Sequence, residues 1–186
     1  MGAVHKMKTI ETIIQEINQV MELVDETELE QALPLFQKNK RIFVIGAGRS
    51  GFQAKGFAMR LMHIGYTDYV MGETITPSIQ KGDTWVAISG SGTTKGIVSD
   101  TETAKKMGLD IVVLTSAKES PLAKLADKVI VVPGATKTGA GVKSVQLLSS
   151  LFDQTVHITL DALTLKLAQR DQTSNEDALH EHVNVE

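Results

Sequence analysis

The sequence predicts an α/β layer fold around a parallel sheet, on three observations. Five short β-branched runs recur along the chain: "RIFVIG" at Arg41–Gly46, then "TDYVMG", "TWVAIS", "DIVVLT" and "KVIVVP". They are apolar almost throughout rather than at alternate positions, as strands buried on both faces must be. Segments of helical or loop character separate them, the alternation that gives a parallel sheet. Three of the runs also end in turns rich in Gly, Ser or Thr, at the strand ends where open α/β sheets place ligands.

The elements follow in order. Ile10, Ile13, Ile14, Ile17, Met21 and Val24 recur at helical spacing, so the chain opens on an amphipathic helix. A second, short helix is expected over Glu26–Lys38, before the first strand. "SGFQAKGFAMRLMHIG" continues helically from the first glycine turn to His63, and a further helix is expected from Thr94 to Met107. Gly134–Gly141, "GATKTGAG", is the most loop-like segment. Ser144–Gln169 reads as one long helix whose apolar face, from Val145 to Leu167, is broad enough to be largely buried, in part by another subunit. From Asn175 to Glu186 the chain is polar. We take residues 1–186 as a single domain: helices over 1–39, the α/β core over 40–170 and a tail over 171–186.

Composition narrows the function. The 186 residues are 42% hydrophobic and 22% charged, enough for a core and wrong for a disordered chain. A net charge of −3 without a Lys/Arg cluster argues against nucleic acid as a partner. The absence of cysteine excludes disulfides, thiolate zinc sites and a cysteine nucleophile, and fits a reducing cytoplasm. Apolar runs such as "IVVLT" are too short to span a bilayer, so no membrane association is expected. Gly2 is followed by Lys6 where a myristoylation signal needs Ser or Thr, and no signal-peptide core follows. Met7 is a candidate natural start, with residues 1–6 a scar of cloning.

Gly46, Gly48 and Gly51 match the G-x-G-x-x-G spacing of a dinucleotide turn, with Glu73 downstream where a ribose-binding acid is expected. The turn also carries Arg49 and Ser50, a guanidinium and a hydroxyl that suit a phosphate group. A second turn, Ser89, Gly90, Ser91, Gly92, Thr93 and Thr94, offers four hydroxyls and two glycines within six residues. A plain helix cap explains one hydroxyl, not four. It is not a Walker A loop, because no Gly-Lys-Ser/Thr follows. Two such turns at one sheet edge point to a phosphorylated small molecule. A dinucleotide domain would leave the second turn unexplained and the chain too short for a substrate domain.

"GAGRSG", "FAMRLMHIGY", "GETITP" and "SGSGTT", in this order and spacing, resemble a sugar-isomerase (SIS) domain, and within that family the 6-phospho-3-hexuloisomerases. The resemblance runs from the first helix to the final "HVNVE". It implies a three-layer α-β-α sandwich on a five-stranded parallel sheet, a homotetramer, and no metal or organic cofactor. It implies interconversion of D-arabino-hex-3-ulose 6-phosphate and D-fructose 6-phosphate, with a 3-hexulose-6-phosphate synthase as a possible pathway partner. Ser50 and Ser89–Thr94 match the positions that bind the sugar phosphate in the family. A non-catalytic sugar-phosphate-binding module, or an isomerase of another sugar phosphate, would use the same turns.

Moving a carbonyl from C3 to C2 is easiest through a cis-enediol, which needs a base and donors for the enediolate oxygens. Asp153, His157 and Asp161 recur at four-residue steps on the long helix, a spacing equally suited to its solvent side, which is the reading for Asp161. The resemblance favours Asp153, because a glutamate is the proton acceptor in the family's "SLFEQ" segment. Here that segment is "SLFDQ", one methylene shorter, and "QLLS" replaces the Pro, Met and Gly that tend to precede it. His63, at a helix end, is either a dipole partner or a proton carrier. Glu73 is either a sugar ligand or part of a turn. His182 matches a histidine near the end of family members; it is either a solvated tail residue or, in a tetramer, one that reaches a neighbour's pocket. "HEH" at 180–182 is not H-E-x-x-H, so no zinc site is expected.

Overall fold

The computed structural model describes residues 8–137, 139 and 141–185, so the start at Met7 lies outside the described residues. Five strands form one parallel sheet: β1 Arg41–Gly46, β2 Thr67–Val70, β3 Thr84–Ile88, β4 Asp110–Thr115 and β5 Lys128–Val131. Their order is β2-β1-β3-β4-β5, so the sheet reverses its winding between β1 and β3. Every predicted run is a strand.

Side chains alternate across this sheet. Ile42, Val44, Val86, Ile88, Val112, Leu114 and Ile130 pack on one face, with α2 Glu26–Ala32, α3 Arg49–His63 and α5 Ser150–Arg170. Phe43, Ile45, Trp85, Ala87, Ile111 and Val113 pack on the other, with α4 Lys95–Lys106. Helices on both faces make the three-layer sandwich. The helix α5 is buried along most of its length although three of its inward residues are threonines. Thr155, Thr159 and Thr164 return their hydroxyls to the carbonyls of Leu151, Thr155 and Leu160, which removes the cost of burying them.

The helices differ in detail from these expectations. The second helix stops at Ala32, with a 3-10 turn over Leu33–Leu35, because Pro34 has no N–H to continue it. The first helix, α1 Thr9–Met21, buries only Val20 and Glu16, and leaves Ile10 73% exposed. Its apolar stripe is therefore covered toward its C-terminal end, where Val20 is buried and Ile17 packs on the core, and open at Ile10 and Ile14. The long helix starts at Ser150 rather than Ser144, because Leu148 takes a positive φ of 57°. Such a conformation costs a leucine roughly 1–2 kcal/mol and ends any helix. The polar tail contains a short helix, α6 Asn175–Glu181, whose Ser174 and Asp177 form a reciprocal capping box.

Candidate functional site

β1 and β3 are neighbours at the point where the winding reverses, and the turns that leave them open into one cavity of about 440 Å³. The glycines of the first turn are required by packing. A Cβ on Gly46 would stand 2.7 Å from the Ser50 carbonyl, and one on Gly51 would stand 2.9 Å from that of Gly46, so α3 can start this close to β1 only without side chains there. Gly48, at φ 57°, precedes α3 and offers no capping side chain. The first N–H groups of α3 and α4 have no intrahelical acceptors. Thr94, ahead of α4, does not cap it either, because its hydroxyl pairs with Ser89 Oγ at 3.1 Å. Two uncapped helix N-termini thus meet at one cavity, a setting for an anion.

The second turn divides into ligand and frame. Ser89, Gly90, Ser91 and Thr94 line the cavity. Gly92 does not: its φ of 62° and the Ser120 hydroxyl, 2.0 Å from where a Cβ would stand, seat the turn in the protein. Thr93 is exposed and donates from its N–H and hydroxyl to Ser91 Oγ at 3.3 and 3.0 Å. Those bonds tie Thr93 to Ser91 and so brace the turn from outside the cavity.

Asp153, in the first turn of α5, closes the same cavity and is 1% exposed. Ser50 donates to its Oδ1 at 3.5 Å, the long limit of a hydrogen bond. Arg49 Nε lies 2.9 Å from Oδ2, an ion pair but not an aligned hydrogen bond, so among the described residues Oδ2 has a charge beside it and no donor. Arg49 also donates to Ser150 Oγ at 2.8 Å. Burial raises the Asp153 carboxyl above its ordinary value, although Arg49, Ser50 and Lys137 pull it down. The result is a carboxylate with an unfilled lone pair, next to a cation and several hydroxyls. Such a group can take a proton from a bound molecule.

The other acid–base candidates stand elsewhere in the chain. Glu73 follows β2 at the sheet edge, 3.9 Å from Lys55. It borders a separate depression with Asp68, whose carboxyl is pushed up to about 7 by burial and by the Glu73 charge. His63 ends α3, so it is roughly 20 Å from the turn at the start of that helix. It stacks on His182 with centroids 5.2 Å apart, and burial, with His182 and Arg60, lowers its pKa. His157 and Asp161 form an exposed pair at 3.4 Å, the solvent stripe expected of Asp161. Within one chain, then, Arg49, Ser50, the second turn and Asp153 come together, and Glu73, His63 and His182 do not join them.

The residue-by-residue reading missed Lys137, Leu148 and Ser149, which also line the cavity. Lys137 belongs to "GATKTGAG", which follows β5 at the same sheet edge as the two glycine turns. That position was a readable signal. The left-handed Leu148 was not, because neither leucine nor its neighbours announce it.

The chain is similar to known proteins over most of its length. A family model for the SIS domain matches residues 35–158. A 3-hexulose-6-phosphate isomerase of Mycobacterium gastri is 45% identical over 147 residues, covering 78% of this chain and 74% of its own. A protein of that name from Bacillus subtilis is 36% identical, covering 97% of this chain and all of its own, 100%. The crystal structure of a Methanococcus jannaschii protein, from which a 3-hexulose-6-phosphate isomerase function was inferred, superposes with a TM-score of 0.83 at 27% identity. It covers 97% of this chain and 100% of that one.

Proposed function

We propose that this chain, which belongs to the SIS domain family, is a sugar-phosphate isomerase that interconverts D-arabino-hex-3-ulose 6-phosphate and D-fructose 6-phosphate. The observation that carries the reading is Asp153: a buried carboxylate with a raised pKa and an oxygen lacking a donor, on the wall of a cavity that two uncapped helix N-termini face.

The phosphate binds the α3 and α4 N-termini with Ser50, Ser89, Ser91 and Thr94. Gly90 lets it approach the backbone. Charge-assisted hydrogen bonds of about 1.5–3 kcal/mol each hold the dianion against its hydration. Asp153 takes the proton from C2 of the hexulose and returns it to C3 as the carbonyl moves from C3 to C2. The proton of the C2 hydroxyl passes to the C3 oxygen, so the change balances without oxidant or cofactor. Arg49 and Lys137 hold the charge that grows on the enediolate oxygens.

The chain acts as a homotetramer in the cytoplasm. The apolar residues that α1 and α5 leave exposed, among them Ile10, Ile14, Ile158 and Leu165, support an assembly through those helices. In it, His63 and His182 of a neighbouring chain supply the imidazole that moves the hydroxyl proton, and Glu73 contacts the sugar or a subunit beside it. A 3-hexulose-6-phosphate synthase supplies the substrate. Mixing pure protein with the hexulose phosphate and following fructose 6-phosphate tests the reading. Turnover is expected, and phosphate-sugar binding without turnover would leave only a binding module.

A further inference from the structure

Glu16 is a carboxylate on α1, 8% exposed, that the chemistry above does not use. It is fully engaged. Its oxygens accept from Ser144 Oγ at 2.6 Å, from the Val145 N–H at 2.7 Å and from Gln146 Nε2 at 3.0 Å. Those donors draw its pKa below the ordinary value against the opposing effect of burial. The three residues it holds lead directly into the strained turn at Leu148.

The network continues to the site. Gln146 and Gln154 exchange side-chain amide bonds at 3.0 and 2.8 Å, and Gln154 is the residue after Asp153. Ser150 donates through N–H and hydroxyl to the Leu147 carbonyl, and the Asp153 N–H bonds to Ser149 at 2.9 Å. Leu148 and Ser149 are themselves cavity walls. A leucine held at positive φ persists only where its surroundings fix it. Glu16 is what fixes the residues on its N-terminal side.

We propose that Glu16 is a positioning residue for the isomerase reaction: by anchoring residues 144–146 to α1, it sets the turn at Leu148 and so the place of Asp153 in the cavity. This rests on the isomerase reading above. A carboxylate that only pinned α1 to the core would affect melting and leave turnover alone, so the two roles separate.

The test uses Glu16→Ala, Glu16→Gln and Gln146→Ala in the full chain. Misplacing a reacting group by about 1 Å costs on the order of 10²-fold, so Glu16→Ala is expected to lower kcat about 10- to 100-fold. Affinity for inorganic phosphate, measured by calorimetry, should stay within about twofold, since no bond of this network reaches the Ser89–Thr94 turn. Trypsin should cut after Lys143 faster, and Glu16→Gln, which keeps an acceptor for Val145, should recover most of kcat. Unchanged kcat in folded Glu16→Ala overturns the proposal, as does a loss of kcat that only tracks a loss of phosphate affinity. If Glu16→Ala does not fold, Gln146→Ala decides by the same two criteria. If the wild-type protein does not turn over the hexulose phosphate, the functional reading fails by itself. Cleavage after Lys143 then decides the anchor: faster cutting in the variant supports it, and equal cutting overturns it.

Discussion

Asp153→Asn keeps the shape of the side chain, removes its charge and replaces one carboxylate oxygen by a donor. Three quantities should then move independently. As a general base, Asp153 accounts for about 10²–10⁴ in rate, so kcat should fall by that factor, or about 2.7–5.5 kcal/mol in the barrier. Stability should rise. Burial outweighs Arg49, Ser50 and Lys137 in the balance that sets this carboxyl, and an amide carries no charge to desolvate. A net gain of about 1 kcal/mol raises the melting temperature of a chain this size by roughly 2–4 °C. The sign of the pH dependence follows from the raised pKa. The folded state holds this proton more tightly than the unfolded one, so the wild type loses stability as pH rises from the unfolded carboxyl pKa through the folded one. The advantage of Asn should therefore be small at acid pH, grow through that window and level off above it. Trp85, the one tryptophan and fully buried, reports the melt at pH 5 and pH 8, and fructose 6-phosphate formation reports kcat. A kcat within tenfold of wild type would transfer the base role to another group. A lower melting temperature at pH 8 would mean that the carboxylate is satisfied and structural.

Ser91→Ala removes a hydroxyl from the phosphate subsite and should raise KM about 10- to 100-fold with little change in kcat, and steady-state kinetics separates the two. Gly92→Ala should disrupt the second turn by strain at φ 62° and by collision with Ser120, lowering the melting temperature and weakening phosphate binding together; normal phosphate affinity would contradict the framing role. Asp68 should titrate near 7 by carbon NMR of its carboxyl, and Glu73→Gln should lower that midpoint while leaving it above an exposed carboxylate, because burial is the larger cause. Its raised value also means that stability falls as pH rises toward and through 7, so Asp68→Asn should stabilise most in alkaline buffer, read by thermal melts.

The sheet was legible because its signal is local: β1, β3 and β4 are buried along most of their length and apolar almost throughout, and the less buried edge strands β2 and β5 still carry β-branched and aromatic residues. The two glycine- and hydroxyl-rich turns were legible for the same reason, since such clusters directly after a strand stand out locally. Asp153 was reached through resemblance and by position on its helix; periodicity alone put it on the same stripe as His157 and Asp161, which are exposed. What separates them is that Asp153 lies in the first turn, where the helix abuts the sheet edge. The start of α5 at Ser150 could not be read, because helical spacing continues through residues 144–149 and neither the left-handed Leu148 nor the bond from Val145 to Glu16 is announced by its neighbours in sequence. The separation of His63 from Asp153 is a matter of helix length, which the sequence does contain: α3 runs from one edge of the sheet to the other.

The anchor at Glu16 also sets an order on biosynthesis. Glu16 leaves the ribosome 128 residues before Ser144, its partner. At about 5–20 residues per second, α1 waits roughly 6–26 s for that partner to be made. Throughout that interval α1 lacks this anchor. Of the helices described, α1 is made before the others, yet its anchor at residues 144–146 follows all five strands, and the cavity wall of Leu148, Ser149 and Asp153 comes later still.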